Sequence, residues 1–326
     1  MIARGGREVE KISYLGLPNC YRLSNGAVEA VVTSDVGPRI IRYGFCDAEN
    51  ILGEVPDATL TTGLGDFKPR GGHRLWVAPE AKPRSYAPDN APLTVAFEGE
   101  RGIRLTAQAD ASVGIEKEMS VALEAEGTLV TVKHKITNRN LWAIEAAPWA
   151  LTIMRGGGTA IFPQEPYISW DDYLLPARPL VLWHYTNLAD ARWRIGKQFI
   201  QLSTDATANH PQKIGMLNKQ GWAAYLHGST LFVKRFAYRE GANYPDYNCN
   251  CETYTAGDFI EVESLAPLQR LEPGESAEHL ERWSLYAGVE ACADEAGLGA
   301  ALDPLLAQSE IQGEKNLTPE GAERES

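Results

Sequence analysis

Ile115-Glu116-Lys117-Glu118-Met119-Ser120-Val121-Ala122-Leu123 and, after a turn at Glu124 to Thr128, Leu129-Val130-Thr131-Val132-Lys133-His134-Lys135-Ile136-Thr137 decide the fold class. In the first run Ile115, Lys117, Met119, Val121 and Leu123 fall on one face, with Glu116 and Glu118 opposite. In the second, Val130, Val132, His134 and Ile136 share a face while Thr131, Lys133 and Lys135 turn away. A period of two is the signature of a half-buried strand, because successive side chains point to opposite sides of a sheet. It places His134 in the apolar set, the position of a satisfied core histidine.

The same alternation recurs outward in both directions. Ala27 to Thr33, Ile103 to Ala107, Leu151 to Met154, Gln198 to Leu202, Ala223 to His227, Leu231 to Phe236, Phe259 to Ser264 and Leu280 to Tyr286 all read as strands. Turn signals separate them, among them Ser24-Asn25-Gly26, Gly156-Gly157-Gly158 and Glu272-Pro273-Gly274-Glu275. Only Glu290 to Gln308 reads as helical, with Leu298, Leu302, Leu305 and Leu306 on one side. The chain is therefore expected to be all-β, one domain over residues 1–308, with a polar and flexible tail at 309–326.

Composition narrows the function. With 326 residues, 44% hydrophobic and 23% charged, the chain can bury a sizeable core, and it has no apolar run long enough to span a bilayer as a helix. The formal net charge of −12 and the lack of a basic block argue against nucleic acid and against an anionic membrane, which draw on clustered Lys and Arg. The charged start, Met1 to Lys11, shows no secretory signal, and five scattered cysteines suit a reducing compartment. A cytoplasmic location and a neutral small-molecule partner are expected, and the sequence leaves the oligomeric state open.

Three segments carry candidate chemistry. Arg70-Gly71-Gly72-His73-Arg74-Leu75-Trp76 combines a Gly-permitted turn with an imidazole, two guanidinium groups and an indole; Trp76 can stack on a sugar ring while Arg70, His73 and Arg74 bond hydroxyls. On Phe259 to Leu265 the alternation puts Glu261 and Glu263 on one face, where mutual repulsion and enclosure would raise the pKa of one of them towards that of a general base. Asn243 to Tyr254, read as a loop, offers Tyr244, Asp246 and Glu252 to a sugar. Cys249 and Cys251 lack a second pair of ligands at metal spacing, so no metal or other cofactor is expected. His184, between aromatic residues, is a further cleft candidate.

In this order, the segments resemble the galactose mutarotase-like superfamily, which includes aldose 1-epimerases and hexose-phosphate mutarotases. The resemblance rests on Gly37-Pro38-Arg39, Arg70-Gly71-Gly72 with Trp76 and Pro79, Thr137-Asn138, and Phe259 to Ser264 followed by Pro273-Gly274-Glu275 and Trp283. Gly-Gly-His-Arg-Leu-Trp and Tyr-Pro-Asp are most similar to a bacterial branch of it. The resemblance implies a β-supersandwich with one short C-terminal helix, a sugar held on a sheet face, Glu263 as the base and a histidine as the acid. Where the family has its histidine after Thr-Asn, this chain reads Ala146-Ala147-Pro148-Trp149-Ala150. The acid would have to come from His73 or His184, giving a sugar mutarotase or epimerase. The alternative is a non-catalytic carbohydrate-binding or sensing protein on the same fold.

Overall fold

The computed structural model describes residues 9–290, 292 and 294–314. Two large antiparallel sheets dominate it. In the first, the strands lie in the order Val9–Tyr14, Leu17–Ser24, Val28–Thr33, Arg39–Phe45, His73–Ala78, Ile144–Arg155, Phe259–Leu265, Cys251–Thr255, Gln212–Met216 and Leu180–Leu182. The second runs Thr94–Phe97, Gly102–Ala107, Ile115–Leu123, Val130–Asn138, Ser276–Ala287, Thr230–Phe236, Trp222–His227, Thr159–Pro163, Phe199–Ser203 and Trp193–Ile195. The two runs that decided the fold class pair in full register, Ile115 opposite Asn138 through Leu123 opposite Val130.

The inner faces supply the core. Tyr43 of the first sheet meets Trp283 and Phe232 of the second, with ring centroids 5.8 and 6.1 Å away, and Trp283 lies 5.6 Å from Phe232. Each such ring removes a large apolar area from water, and edge-on contacts between aromatic rings add to that. The helix, Glu295–Glu314, covers the outer side of the second sheet, where Leu298 and Leu302 bury against Ile161, Phe199, Trp222 and Leu231. Its first-turn Glu295 accepts the backbone N–H groups of Lys197, Gln198 and Phe199 at 3.0, 2.7 and 2.8 Å.

The helix starts and ends later than its apolar pattern suggested, running through Ser309 to Glu314 where a tail was expected to begin. Ser309 is buried and receives the Arg235 guanidinium at 2.6 Å, a tether that hydropathy does not reveal. The rest of the expected tail, 315–326, lies outside the described residues. Among those described, no helix is long and apolar enough to cross a membrane.

Candidate functional site

Register assembles the site. Arg39 stands opposite Arg74, Arg74 opposite Leu151, Leu151 opposite Glu263, and Glu263 opposite Glu252, so these five form one row across five strands. Trp76, Trp149 and Leu265 form the next row. Ile153, Glu261, Tyr254 and Lys213 form another two residues away in the opposite direction. Residues directly opposite in neighbouring strands share a face, so Arg74, Trp76, Glu261 and Glu263 come together although they are far apart in sequence.

Two glycines make this possible. Gly72 has φ +66° and a Cβ there would lie 2.2 Å from the Ile40 carbonyl oxygen; at Gly71 (φ +90°) it would lie 2.1 Å from that of Gly53. Only glycine permits both the backbone conformation and that approach. The strand His73–Ala78 can then enter between Arg39–Phe45 and Ile144–Arg155.

The face opens into a cleft of about 520 Å³ lined by Phe67, Trp76, Tyr86, Trp149, Trp183, Tyr185 and Tyr254, with Arg74, Lys213 and Glu261 as polar groups among them. Arg74 donates to Glu261 Oε1 at 2.9 Å and stacks 4.6 Å from the Trp76 ring centre. Trp76 is held edge-on by Trp149 at 5.5 Å and Tyr86 at 4.9 Å. This is a rigid apolar platform with a small number of fixed polar groups, the usual make-up of a ligand pocket. A separate hollow of about 450 Å³ by Arg42 and Arg155 is polar, and its arginines are already paired with Glu29 and Glu49.

Beneath the cleft lies a charged cluster. Lys213 Nζ is 2.8 Å from Glu252 Oε2, 3.8 Å from Glu263 Oε2, and between the indoles of Trp149 and Trp183, 4.7 and 4.5 Å from their ring centres. Trp149 Nε1 donates to Glu263 Oε2 at 2.8 Å. Burial raises the pKa of both carboxyl groups, and Lys213 only partly opposes it. For Lys213, burial alone would favour the neutral amine, but Glu252 and Glu263 outweigh it and raise its pKa. Glu263 is fully buried, roofed by Trp149 and Lys213, and does not line the open space.

The expected histidines are placed elsewhere. His73 precedes Arg74 in an extended strand, so its side chain points to the opposite face, into the core between the sheets, and cannot serve the cleft as a sugar-binding group or an acid. There it joins His134, His279, Thr152, Lys234, Ser264, Glu281 and Trp283 in a network with one consistent proton arrangement. His134 Nδ1–H donates to the His279 carbonyl at 3.1 Å, which leaves His134 Nε2 to accept from His73 Nε2–H at 2.6 Å. His73 Nδ1 then accepts from the Thr152 hydroxyl at 2.8 Å, and Thr152 in turn accepts from Lys234 at 2.6 Å. Glu281 accepts from Ser264, Lys234 and Trp283 at 2.5, 2.9 and 2.9 Å, and Ser264 accepts from His279 Nε2–H at 2.6 Å.

Burial holds all three imidazoles neutral by lowering their pKa values; Glu281 would be raised by burial, but Lys234 keeps it ionised. The ligand atoms of His73, His134 and Glu281 lie within 4.8 Å of one another. Lys234 already balances Glu281, however, and a divalent ion would add two uncompensated charges to the core. His184 is exposed and does not line the cleft, although its neighbours Trp183 and Tyr185 do.

Of the remaining candidates, Arg70 bonds Asn90 at 3.2 Å outside the cleft. Tyr244 is buried, its hydroxyl accepting the Arg239 N–H at 2.9 Å. Asp246 lies in a left-handed turn (φ +49°), half-buried and outside the cleft lining. Glu252 lies on a strand, not in a loop, and belongs to the buried cluster. Tyr254, the last residue of the segment read as a loop, lies on the strand Cys251–Thr255 and lines the cleft, whereas Lys213, on the short strand Gln212–Met216, was missed by sequence reasoning.

The sequence matches no protein-family model and no curated protein; its likeness is to solved structures. A candidate aldose 1-epimerase from Klebsiella pneumoniae superposes with a TM-score of 0.57 at 12% identity, covering 97% of this chain and 91% of that one. A candidate mutarotase from Salmonella typhimurium gives 0.51 at 11% identity, covering 86% and 97%. A TPR-domain containing protein from Parabacteroides distasonis gives 0.53 at 12% identity, covering 84% of this chain, which spans only 48% of that protein's length. The chain thus has the β-sandwich fold of the galactose mutarotase-like, aldose 1-epimerase-like proteins.

Proposed function

We propose that the protein binds a carbohydrate in the cleft between Trp76 and Tyr254, and does so without the histidine–glutamate proton relay of a mutarotase. The observation that carries this reading is the aromatic lining around the Arg74–Glu261 pair. Aromatic faces take the C–H side of a sugar ring, while a fixed donor and acceptor side by side take its hydroxyls. The fold supports a sugar ligand, since the structural neighbours include candidate aldose 1-epimerases. Against the relay stand the placement of Glu263 under Trp149 and, among the described residues, a cleft lining without an imidazole.

A second reading, a mutarotase of altered chemistry, is favoured by one observation. Glu252 and Glu263 face each other across neighbouring strands, both with raised pKa values, so that one can hold a proton while the other is ionised. Calorimetric titration against a panel of mono- and oligosaccharides tests both. Binding should be saturable, and Tyr185→Ala or Glu261→Gln should weaken it about 5- to 10-fold, the equivalent of one aromatic or polar contact. If no saccharide binds at millimolar concentration, the proposal fails. If magnetisation-exchange spectroscopy shows wild-type protein accelerating anomer exchange and Glu263→Gln abolishing it, the second reading replaces the first.

A further inference from the structure

Both sheets end on the side of the molecule where one short segment joins their last strands, and that side carries several large exposed apolar residues beside exposed Asp171, Asp172 and Arg178. The first sheet ends at Leu180–Leu182 and the second at Trp193–Ile195, joined by the short segment 183–192. Leading into them is the long connection 164–179, in which Tyr167, Ile168, Trp170, Tyr173, Leu174 and Leu175 are all exposed, Trp170 by 75% and Leu174 by 81%. The connection holds its own shape: the Asp172 and Tyr173 N–H groups bond the Ser169 carbonyl at 3.1 and 3.0 Å, Arg178 reaches the Glu165 carbonyl at 2.6 Å, and Lys197 lies 4.0 Å from the Tyr167 ring centre. Connections of this length without secondary structure commonly carry function.

The opposite edge of the first sheet shows a contrast. Its terminal strand, Val9–Tyr14, carries exposed Glu10 and Lys11, charges that discourage pairing with another chain. Leu180-Val181-Leu182 carries no charge, and Leu182 is exposed. An uncharged, apolar edge strand is a template for a further strand.

We propose that two copies of this chain associate through this side, their Leu180–Leu182 edges pairing antiparallel about a two-fold axis, with the 164–179 connection of each packed on the other. The self-complementarity follows from geometry: an antiparallel pairing of identical strands is what a two-fold axis generates, and it brings the same apolar patch together from both copies. The area fits as well. Taking large apolar side chains at ~150–250 Å² each, the six exposed residues present on the order of 700 Å², more than the 300–600 Å² patch usual on a monomer and close to the ~800 Å² per partner of a stable interface. A chain of net charge −12 makes an anionic membrane a poor alternative occupant.

Sedimentation velocity over roughly 1 to 100 µM tests the idea, since association depends on protomer concentration. Wild-type protein should sediment as a dimer of the 35.8 kDa chain at the upper end of the range. A Trp170→Asp, Leu174→Asp double variant should sediment as a monomer with unchanged saccharide affinity, and Val181→Pro should weaken dimerisation through the edge strand. Wild-type protein that stays monomeric throughout overturns the proposal, as does a dimer that both variants leave intact. Should the variants fail to fold, hydroxyl-radical footprinting of wild type decides: Trp170 protected at high concentration and modified at low supports the interface, and equal modification at both rejects it.

Discussion

Lys213 shows what single residues contribute here. Its ammonium is the cation beside two buried carboxyl groups and fills the space between two indoles. Breaking a buried ion pair by removing one partner typically costs ~3–5 kcal/mol, but a carboxyl group that can take up a proton escapes part of that cost. Lys213→Met should therefore lower the unfolding free energy by about 3 kcal/mol at pH 8 and clearly less at pH 6. Urea melts at the two pH values would show it, and an equal loss at both would mean that the carboxyl groups do not protonate. Arg74, Trp76, Glu261 and Glu263 were legible because Gly-Gly-x-Arg-x-Trp and Phe-Ile-Glu-Val-Glu carry their parity openly. The same parity, applied to adjacent residues, already separates His73 from Arg74. Lys213 was hidden because its strand has only five residues, with Pro211 just before it and Gly215 inside it, too short a run for alternation to stand out.

At the scale of elements, the strand Ile144–Arg155 has two roles on its two faces: Trp149, Leu151 and Ile153 line the cleft, while Thr152 joins the buried network. Thr152→Val removes the hydroxyl that bridges Lys234 and His73. That should cost about 1–3 kcal/mol, the usual penalty for leaving a buried polar group short of a partner. Saccharide affinity should change less than twofold, since the altered atom faces away from the cleft; a large loss of binding in titration calorimetry would contradict the two-face description. Only Leu151 to Met154 of this strand was readable in advance, because Pro148 in a central strand argues against one. The structure resolves the conflict by changing partners there. Ile144 to Ala146 pair with Gln269–Leu271, and Trp149 to Arg155 with Phe259–Leu265, so the missing N–H of Pro148 falls at the change-over. Which strands would be neighbours depends on such long-range pairings, and the alternation within each strand is silent about them.

Across the whole molecule, two buried groups of titratable residues act on stability in opposite pH ranges. Glu252 and Glu263 are raised by burial to about 8 and about 7, well above the carboxyl range of an unfolded chain near 4.3. As the pH falls from about 8 to 6.5, the native state takes up protons that the unfolded state does not, so stability rises, by ~2 kcal/mol if about one proton is bound over that span. His73, His134 and His279 are held by burial below the ~6.5 of free histidine. Below pH 6.5 the unfolded chain binds protons that the native network excludes, so stability falls again. Glu281, kept ionised by Lys234 against the effect of burial, adds a further loss at still lower pH, once free carboxyl groups protonate. Thermal unfolding should therefore show a maximum near pH 6.5, lower by several degrees at pH 8.5 and at pH 5. Two variants separate the groups. Glu252→Gln keeps the shape but removes one titration, and should flatten the alkaline limb while steepening the acid one, since native Glu252 keeps its extra proton down to the carboxyl range of the unfolded chain; His279→Gln should flatten only the acid limb. A melting temperature that rises steadily from pH 5 to 8.5 would mean that the carboxyl pair below the cleft is ionised throughout, and that neither Glu252 nor Glu263 takes up a proton in that range.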